Sequence, residues 1–203
     1  MKKCHKKWLE QVNKIMRNQK GVTLIELMVA LTVASILLGA AIPSFRQTII
    51  NSRLSTIANE FISSINYIRS EAIKAGRSVT LCKSTDGSSC STSNTVYWDS
   101  GWIAFLDLDA DGALDTGETI LRTWPALASP YTVRSSAFPN AIRYNSQGVT
   151  TADGNFAVCH DSTESGAKAV LITRVRPRMG IDSDSDQLPE LISGSDLSSC
   201  ESP

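Results

Sequence analysis

The chain has 203 residues, of which 42% are hydrophobic and 20% are charged, and its formal net charge at pH 7 is zero. This composition excludes a disordered polymer and a multi-span membrane protein. Residues 1–20 carry seven basic side chains and one acidic side chain, so the rest of the chain is net acidic. A net acidic body repels phosphate, which argues against nucleic-acid binding over the whole surface.

The sequence is poor in catalytic residues. Of its two histidines, His5 lies in the basic N-terminal stretch and only His160 lies beyond it. The chain contains no GxSxG, HExxH or P-loop motif, and no GxGxxG after a strand. Carboxylates alone can perform acid–base chemistry, but the pattern predicts a protein that is not an enzyme.

Residues 22–42 form an apolar run in which sixteen of 21 side chains are hydrophobic and the only charge is Glu26. The run is long enough for a helix across a bilayer, and the basic stretch before it favours a cytoplasmic N-terminus. This predicts a single membrane span, with everything after Pro43 on the far side. A cleaved signal peptide, ending near Gly39 and Ala41, and a plain anchor are alternatives. Glu26 argues against both, because a carboxylate in an apolar span is costly and usually functional.

The residues around Glu26 resemble a known maturation signal. The stretch Lys20–Leu27 reads KGVTLIEL and is similar to the cleavage and methylation motif of type IV pilins and pseudopilins. The resemblance implies that a prepilin peptidase removes residues 1–21 by cutting between Gly21 and Val22, and that Val22 is then N-methylated. Family members usually begin with Phe, so Val22 departs from the pattern.

Glu26 would be the fifth residue of the mature chain, which is the family's signature position and implies a role in assembly. In a stack of helices, the amino terminus of a neighbouring chain can pair with this carboxylate, and a low dielectric strengthens the attraction. In an isolated membrane-held subunit, Glu26 would instead stay protonated and unpaired. Met16 offers a second start, which would leave a leader of six residues.

Beyond Pro43 the apolar residues recur every three to five positions, which predicts an amphipathic helix. They are Phe45, Ile49, Leu54, Ile57, Phe61, Ile65, Ile68 and Ala72. Gly76 suits the end of this helix. We expect one helix over 22–75, softened at Pro43, with a membrane or filament-core half at 22–42 and an amphipathic half at 43–75.

Residues 76–203 change to short β-type runs separated by turn sequences. Eight strands are predicted, near Val79–Cys82, Val96–Trp98, Trp102–Leu106, Ile120–Trp124, Tyr131–Val133, Ile142–Tyr144, Phe156–Cys159 and Val170–Arg176. The aromatic side chains of this region suit strands and a core better than a ligand platform. They include Trp98, Trp102, Phe105 and Trp124.

The run WDSGWIAF at 98–105, followed by an Asp/Gly-rich loop and ETILR at 118–122, resembles the GspH/FimT branch of minor pilins. The resemblance implies an α+β, type IV pilin-like fold. In that fold a long N-terminal transmembrane and stalk helix packs on a C-terminal antiparallel β-sheet domain that is sandwich-like, here residues 76–203. The arginine-rich and Asp/Ser-rich tail looks closer to FimU-type minor pilins than to the shorter secretion pseudopilins.

Four cysteines lie beyond the predicted span: Cys82, Cys90, Cys159 and Cys200. An even number in an oxidising compartment predicts two disulfides, for which three pairings exist. Cys82 and Cys90 flank a turn-rich stretch, which favours the local pairing and leaves Cys159 to hold Cys200 and the polar tail. Zinc at Cys159 and His160 is an alternative, but the spacing fits no usual zinc pattern.

An acidic pattern, D-x-D-x-D-G-x5-E, begins at residue 107 and is typical of calcium-binding loops. Its carboxylates are Asp107, Asp109, Asp111, Asp115 and Glu118. The helices that usually flank such loops are missing, since strands are predicted on both sides. The alternative is an acidic hairpin loop whose Asp side chains make turn hydrogen bonds. No cofactor is expected to be required, and calcium is the one candidate ligand.

The resemblance implies a minor pilin that assembles through its N-terminal helix into a type IV pilus and helps to prime it. The expected location is the bacterial inner membrane, single-pass with the C-terminal domain in the periplasm, and then the pilus. The implied partners are other minor and major pilins or pseudopilins, the prepilin peptidase and the inner-membrane assembly platform. The alternative is the equivalent minor pseudopilin of a type II secretion system, which the sequence separates poorly.

A second alternative is a DNA-binding minor pilin of a competence pilus. Some FimT-like minor pilins bind DNA through a C-terminal Gly-Arg-x-Arg motif, and Thr173–Arg176 keeps the arginines but lacks the Gly. Arg174, Arg176 and Arg178 are predicted to share one strand face. Pro177 interrupts that strand and several Asp residues follow closely, so nucleic acid is disfavoured as a partner.

Overall fold

The computed structural model describes residues 21–203, except for the side chains at positions 40, 41, 43 and 44. The predicted leader therefore lies outside the described residues apart from Gly21, and so does the alternative start at Met16. The chain divides into two compact units, Met1–Gln47 and Thr48–Pro203.

One long helix, α1 (Leu24–Ala75), includes residues of both units. It begins two residues later than predicted because Thr23 caps it: the Thr23 hydroxyl oxygen accepts the backbone N–H of Glu26 at 3.2 Å. It ends where the sequence predicts, at Gly76, whose φ of +63° is easy only for glycine. The N–H of Arg77 then donates to the Ala72 carbonyl at 3.3 Å, which satisfies one of the last helical carbonyls.

The second unit, Thr48–Pro203, is called the globular unit and contains two four-stranded antiparallel sheets. The strands are β1 (Ser78–Lys83), β2 (Trp102–Asp107), β3 (Thr119–Trp124), β4 (Tyr131–Arg134), β5 (Ala141–Tyr144), β6 (Gly154–His160), β7 (Thr163–Ile172) and β8 (Pro177–Met179). One sheet has the order β3-β2-β1-β5, and the other has the order β4-β6-β7-β8. Every pairing is antiparallel, so the predicted sheet type is confirmed.

A single large core joins the second part of α1, residues 48–75, to both sheets. From α1 it takes an apolar stripe that includes Ile57, Phe61 and Ile65. The first sheet adds residues such as Leu81 and Trp102, and the second sheet adds an apolar set that includes Phe156, Val158 and Val170. Phe61 is fully buried, and its ring centroid lies 4.7 Å from Phe156 and 5.2 Å from Trp102. The sheets are therefore held together by side chains that α1 supplies.

The strand predicted at Val96–Trp98 is wrong. Trp98 begins a 3₁₀ turn, Trp98–Ser100, instead. Its side chain is 1% exposed, and the indole N–H donates to the Phe138 carbonyl at 2.9 Å. The β-forming residue types at 96–98 therefore accompany the burial of one aromatic side chain, and these residues do not form a strand. Gly101 follows at φ +106°, where an added Cβ would lie 2.8 Å from the Trp124 carbonyl oxygen.

The strand predicted at Val170–Arg176 is misplaced. The observed β7 begins at Thr163 and ends at Ile172. A two-residue turn joins it to β6, with Asp161 and Ser162 at φ +53° and +54°. Positive φ at both positions is typical of a type I′ hairpin, which usually contains Asn-Gly or Asp-Gly. Asp-Ser carries no such signal, and after Thr163 the first part of β7 has no β-branched or aromatic residue before Val170.

Candidate functional site

The predicted maturation residues lie just before the first turn of α1. Gly21, Val22 and Thr23 are non-helical, so the predicted cleavage bond is outside the helix. Glu26 is the third helical residue and is exposed, with its backbone N–H capped by Thr23. A carboxylate in the first turn also interacts favourably with the helix dipole. The local fold of this stretch therefore leaves the Glu26 carboxylate available to a cation from outside the chain.

The first unit exposes apolar side chains on every side of the helix. More than half of each of these side chains is accessible, up to 77% for Leu24. The set over 22–42 is Val22, Leu24, Ile25, Leu27, Met28, Val29, Leu31, Val33, Ile36, Leu37, Leu38 and Ile42. The hydroxyls of Thr32 and Ser35 donate to carbonyls of their own helix, Val29 and Leu31, at 2.8 Å. Such a surface needs an apolar partner, since exposed patches of this size mark interaction sites.

The acidic loop lies between β2 and β3, and the structure brings its predicted carboxylates together. One carboxylate oxygen from each of Asp107, Asp109 and Glu118 lies within 4.8 Å of the others. Asp109, Asp111 and Asp115 form a second group of the same size. Glu118, which lies next to the start of β3, therefore does reach the Asp side chains, although strands and not helices flank the loop.

Asp107 is the buried member of this loop. It is 1% exposed, and its Oδ2 accepts the Thr80 hydroxyl at 2.6 Å and the Gly112 N–H at 3.1 Å. Its Oδ1 is buried and has no hydrogen-bond donor among the described residues. The Glu118 carboxylate accepts two backbone N–H groups, from Leu108 at 2.6 Å and Asp115 at 3.0 Å. The turn hydrogen bonds expected of an acidic hairpin are thus present, but they leave one buried carboxylate oxygen unsatisfied.

The three arginines do not share a strand face, so that prediction is wrong. Arg174 and Arg176 lie in the turn between β7 and β8, and Arg178 lies on β8. All three are exposed. Pro177 is the first residue of β8 and pairs with Ile172, which explains the break: proline cannot donate to the ladder and so is tolerated at a strand start.

Both disulfides are present, with the pairing that the sequence favours. Cys82 is bonded to Cys90, and Cys159 to Cys200. The small loop closed by the first bridge also holds Asp86, whose carboxylate accepts the backbone N–H groups of Ser88 and Ser89. The Ser88 N–H is the largest cause of a pKa of Asp86 well below its usual value. The second bridge anchors the C-terminal tail to β6.

The tail carries a second acidic group that the sequence did not single out as a site. Carboxylate oxygens of Asp182, Asp184 and Asp186 lie within 4.8 Å of one another, and so do those of Asp184, Glu190 and Asp196. Burial and then repulsion from the neighbouring carboxylates raise the pKa of Asp196 above its usual value. The Asp-Ser repeat at 182–186 was the available signal.

Comparison with sequence families gives two matches to this chain. The family described as "Type II transport protein GspH" matches residues 58–175, which is more than half of the chain. The chain belongs to this GspH family. A second match, the "Prokaryotic N-terminal methylation motif", covers residues 16–42 and so contains Gly21, Val22 and Glu26. No curated protein sequence matches the chain.

Two solved structures resemble this member of the GspH family. Both are crystal structures of the type IV minor pilin FimU from Pseudomonas aeruginosa strain PAO1. The form in space group P21 has a TM-score of 0.55 at 19% identity, covering 73% of this chain and 96% of that chain. The P65 form has a TM-score of 0.51 at 18% identity, covering 72% and 98%. The predicted α+β, type IV pilin-like fold is thus confirmed.

Membrane insertion is a separate question from the fold. Among residues 21–203, no helix satisfies both the length and the apolarity required to cross a membrane. The span predicted over 22–42 is not confirmed.

Sequence reasoning missed a charged cluster that fixes the C-terminus of this GspH-family chain. The Arg134 guanidinium lies 3.8 Å from the ring centroid of Tyr97, pairs with Asp99 and reaches Glu201 at 3.3 Å. The Arg134 residue is 8% exposed, so its charge is largely removed from water. Its partners are 35 and 67 residues away in the sequence, and no local motif connects them.

Proposed function

We propose that the chain is a minor pilin that assembles through the first part of α1 into a type IV pilus and helps to prime it. The observation that carries this proposal is the helical segment over 24–42, which exposes large apolar side chains on every side and lies within the match to the N-terminal methylation motif. Members of pilin families assemble with other pilins, and an exposed apolar helix is the surface through which such packing gains free energy. The fold shared with FimU supports the same reading.

The proposal includes the maturation chemistry. A prepilin peptidase would cut between Gly21 and Val22, and Val22 would then be N-methylated. Both residues precede the first helical turn, so neither step requires the helix to unwind. The product would carry a positive amino terminus four residues from Glu26.

Before assembly, the apolar segment would be held in the bacterial inner membrane in a single pass, with the basic stretch at residues 1–20 in the cytoplasm. The globular unit would then lie in the periplasm, where disulfides form and persist. The two bridges of the structure agree with such a compartment. Assembly would exchange lipid for neighbouring helices, with the inner-membrane assembly platform as a partner.

Glu26 would select the register of that packing. Its carboxylate is the only charge over 22–42, and the dipole of the first helical turn balances it in part. In an apolar filament core, the amino terminus of an adjacent subunit would supply the missing positive charge, and burial would strengthen the attraction. A wrong register would leave the carboxylate without that partner.

The second candidate function is the equivalent role in a type II secretion system. The family match itself favours it, because the matching family is described as a type II transport protein. The two functions use the same helix and the same maturation. A deletion strain separates them: loss of surface pili with normal secretion supports the pilus, and the reverse result supports the pseudopilus.

The experiment that tests assembly combines N-terminal mass spectrometry with a variant pair. Native protein should begin at a methylated Val22, and a terminus near Ala41 or Ile42 would establish an ordinary signal peptide instead. Glu26→Ala should still be cleaved but should disappear from sheared filaments. Glu60→Ala removes an exposed carboxylate from the second part of the same helix and should assemble normally. Equal incorporation of both variants would contradict the role of Glu26.

A further inference from the structure

Buried carboxylates are normally paired or fully hydrogen-bonded, because removing a charge from water is costly. Asp107 meets this condition on one oxygen only: Oδ2 has two donors, and the buried Oδ1 has none among the described residues. The side chain is 1% exposed, so bulk water does not replace the missing donor. A cation beside Oδ1 would satisfy it.

The cation's other ligands are already assembled. Oxygens of Asp109 and Glu118 lie within 4.8 Å of an Asp107 oxygen, and Asp109 also belongs to the exposed group with Asp111 and Asp115. We propose that the loop between β2 and β3 binds one calcium ion, through the carboxylates of Asp107, Asp109, Asp111 and Glu118, with Asp115 at its margin. The backbone carbonyl of Ala113 is a further candidate ligand, at the seventh position of the pattern.

The donor set favours calcium over other metals. It contains carboxylate and carbonyl oxygens and no imidazole or thiolate, which disfavours zinc and copper. Magnesium requires near-ideal octahedral geometry, whereas calcium accepts six to eight oxygens in irregular arrangements. A loop of mixed burial, with Asp107 inside and Asp109 and Asp111 exposed, suits the more tolerant ion.

Hydrogen bonds within the loop position these ligands. Each of Asp109 and Asp111 accepts a backbone N–H two residues later, from Asp111 at 3.3 Å and Ala113 at 2.8 Å. The Glu118 carboxylate is held by Leu108 and Asp115. These bonds use one lone pair of each acceptor, and a carboxylate has about four acceptor sites. Calcium can therefore bind without first breaking them.

The tail cluster provides an internal comparison. Glu190 also has a buried oxygen without a donor among the described residues, but the residue as a whole is only partly buried. The carboxylates of Asp182, Asp184 and Asp186 are all exposed. Solvent can therefore screen the tail cluster, whereas it does not reach the buried oxygen of Asp107 in the loop between β2 and β3.

The test uses the full chain in detergent micelles, stripped of metal with EDTA and titrated with calcium chloride or magnesium chloride. We expect one calcium per chain, with a Kd on the order of 10⁻⁴ M as in extracellular modules. At 10 mM calcium, the melting midpoint should rise by about 5–10 °C, since the ion binds only the folded state. Magnesium should give a smaller shift.

Three variants of the loop and one control variant locate the ion. Asp111→Asn removes a charge but keeps an amide oxygen that calcium loops accept at this position, so it should reduce the calcium shift without abolishing it. Glu118→Gln removes the carboxylate that can bind calcium through both oxygens, so it should abolish the shift. Asp107→Asn should abolish it too, and its melting midpoint in EDTA should equal or exceed that of the unsubstituted chain, because the buried charge is gone. Asp153→Asn, an exposed control outside both acidic clusters, should keep the full shift.

Two results would overturn the proposal. One is a midpoint that calcium does not move, or moves equally in Asp111→Asn and Asp153→Asn. The other is a shift that Asp111→Asn leaves at full size but that is lost in Asp184→Asn, which would locate the ion in the tail cluster. If Glu118→Gln or Asp107→Asn unfolds in EDTA, Asp111→Asn decides alone, since its side chain is exposed and its turn hydrogen bond survives.

Discussion

The two parts of α1 belong to one helix but meet different surroundings. Over 24–47 the large apolar side chains are exposed around the whole circumference, as Leu31 and Ile36 show at 59% and 73%. Over 48–75 one stripe is buried, including Phe61 and Ile65, and the charged residues lie outside this stripe. Apolar residues on all sides indicate a helix that others will surround, whereas a single stripe indicates a helix with one partner surface. The second part therefore serves folding, and the first part is the surface that the proposed assembly would use.

The largest expected effect tests that division directly. Phe61→Ala removes a fully buried ring that contacts Trp98, Trp102 and Phe156. The cavity should lower the free energy of unfolding by about 3–5 kcal/mol. The measurement is urea denaturation of the full chain in micelles, followed by tryptophan fluorescence.

Leu31→Ala is the matched change in the first part of the helix. Leu31 is exposed, so its loss should leave the unfolding free energy within about 0.5 kcal/mol of the original value. The same variant should reduce incorporation into filaments, which Phe61→Ala at permissive temperature should not. A comparable loss of stability in both variants would show that the first part also belongs to the folded core.

An effect of similar size is expected from the tail bridge, which belongs to the globular unit alone. Replacing Cys159 and Cys200 together by Ser opens a loop with a sequence separation of 41 residues. In the chain-entropy model this costs about 4 kcal/mol, against about 2.5 kcal/mol for the bridge with a separation of 8 residues, Cys82–Cys90. Thermal unfolding of the two double variants measures the difference, and a larger loss from the short bridge would contradict this ranking.

The sequence predicted this fold wherever local pattern and long-range packing agree. The apolar residues that recur every 3–5 positions over Leu54–Ala72 form the stripe that the core buries. Gly76 ends the helix because glycine readily adopts the positive φ found there. The pairing of Cys82 with Cys90 was predicted from the short, turn-rich stretch between them, and Cys159 and Cys200 were then the remaining pair. The family resemblance then supplied the sheets, which no single strand pattern could arrange.

The prediction failed where tertiary contacts override local preference. Trp98 and its neighbours are good strand formers, yet the hydrogen bond from the Trp98 indole to Phe138 needs a residue 40 positions away. The start of β7 is polar, and its turn places non-glycine residues at positive φ. The contacts of Arg134 with Asp99 and Glu201 also exist only in the folded chain. The acidic loop was visible in the sequence, but the unsatisfied oxygen of Asp107 was not.

A smaller effect should come from the cap at the start of α1. Thr23→Ala removes the oxygen that accepts the Glu26 N–H and should destabilise the first turn by about 1 kcal/mol. Amide hydrogen exchange over the first turn, measured in micelles, should then become about fivefold faster. Thr32→Ala is the control, because the Thr32 hydroxyl only donates to carbonyls of its own helix. Equal exchange in both variants would show that Thr23 does not cap the helix.

The smallest effect is expected at Arg174 and Arg176, in the turn between β7 and β8. Because Arg174 and Arg176 lie in a turn and not on a strand face, they offer at most two or three phosphate contacts, and acidic residues follow from Asp182. Each phosphate contact contributes about 0.9 to the slope of log affinity against log salt, so the full slope should stay shallower than about −3. We therefore expect no gel shift of duplex DNA near physiological salt, and no change from Arg174→Gln with Arg176→Gln. Tight, strongly salt-dependent binding that this double variant loses, while Arg77→Gln retains it, would instead show a DNA-binding site on this turn.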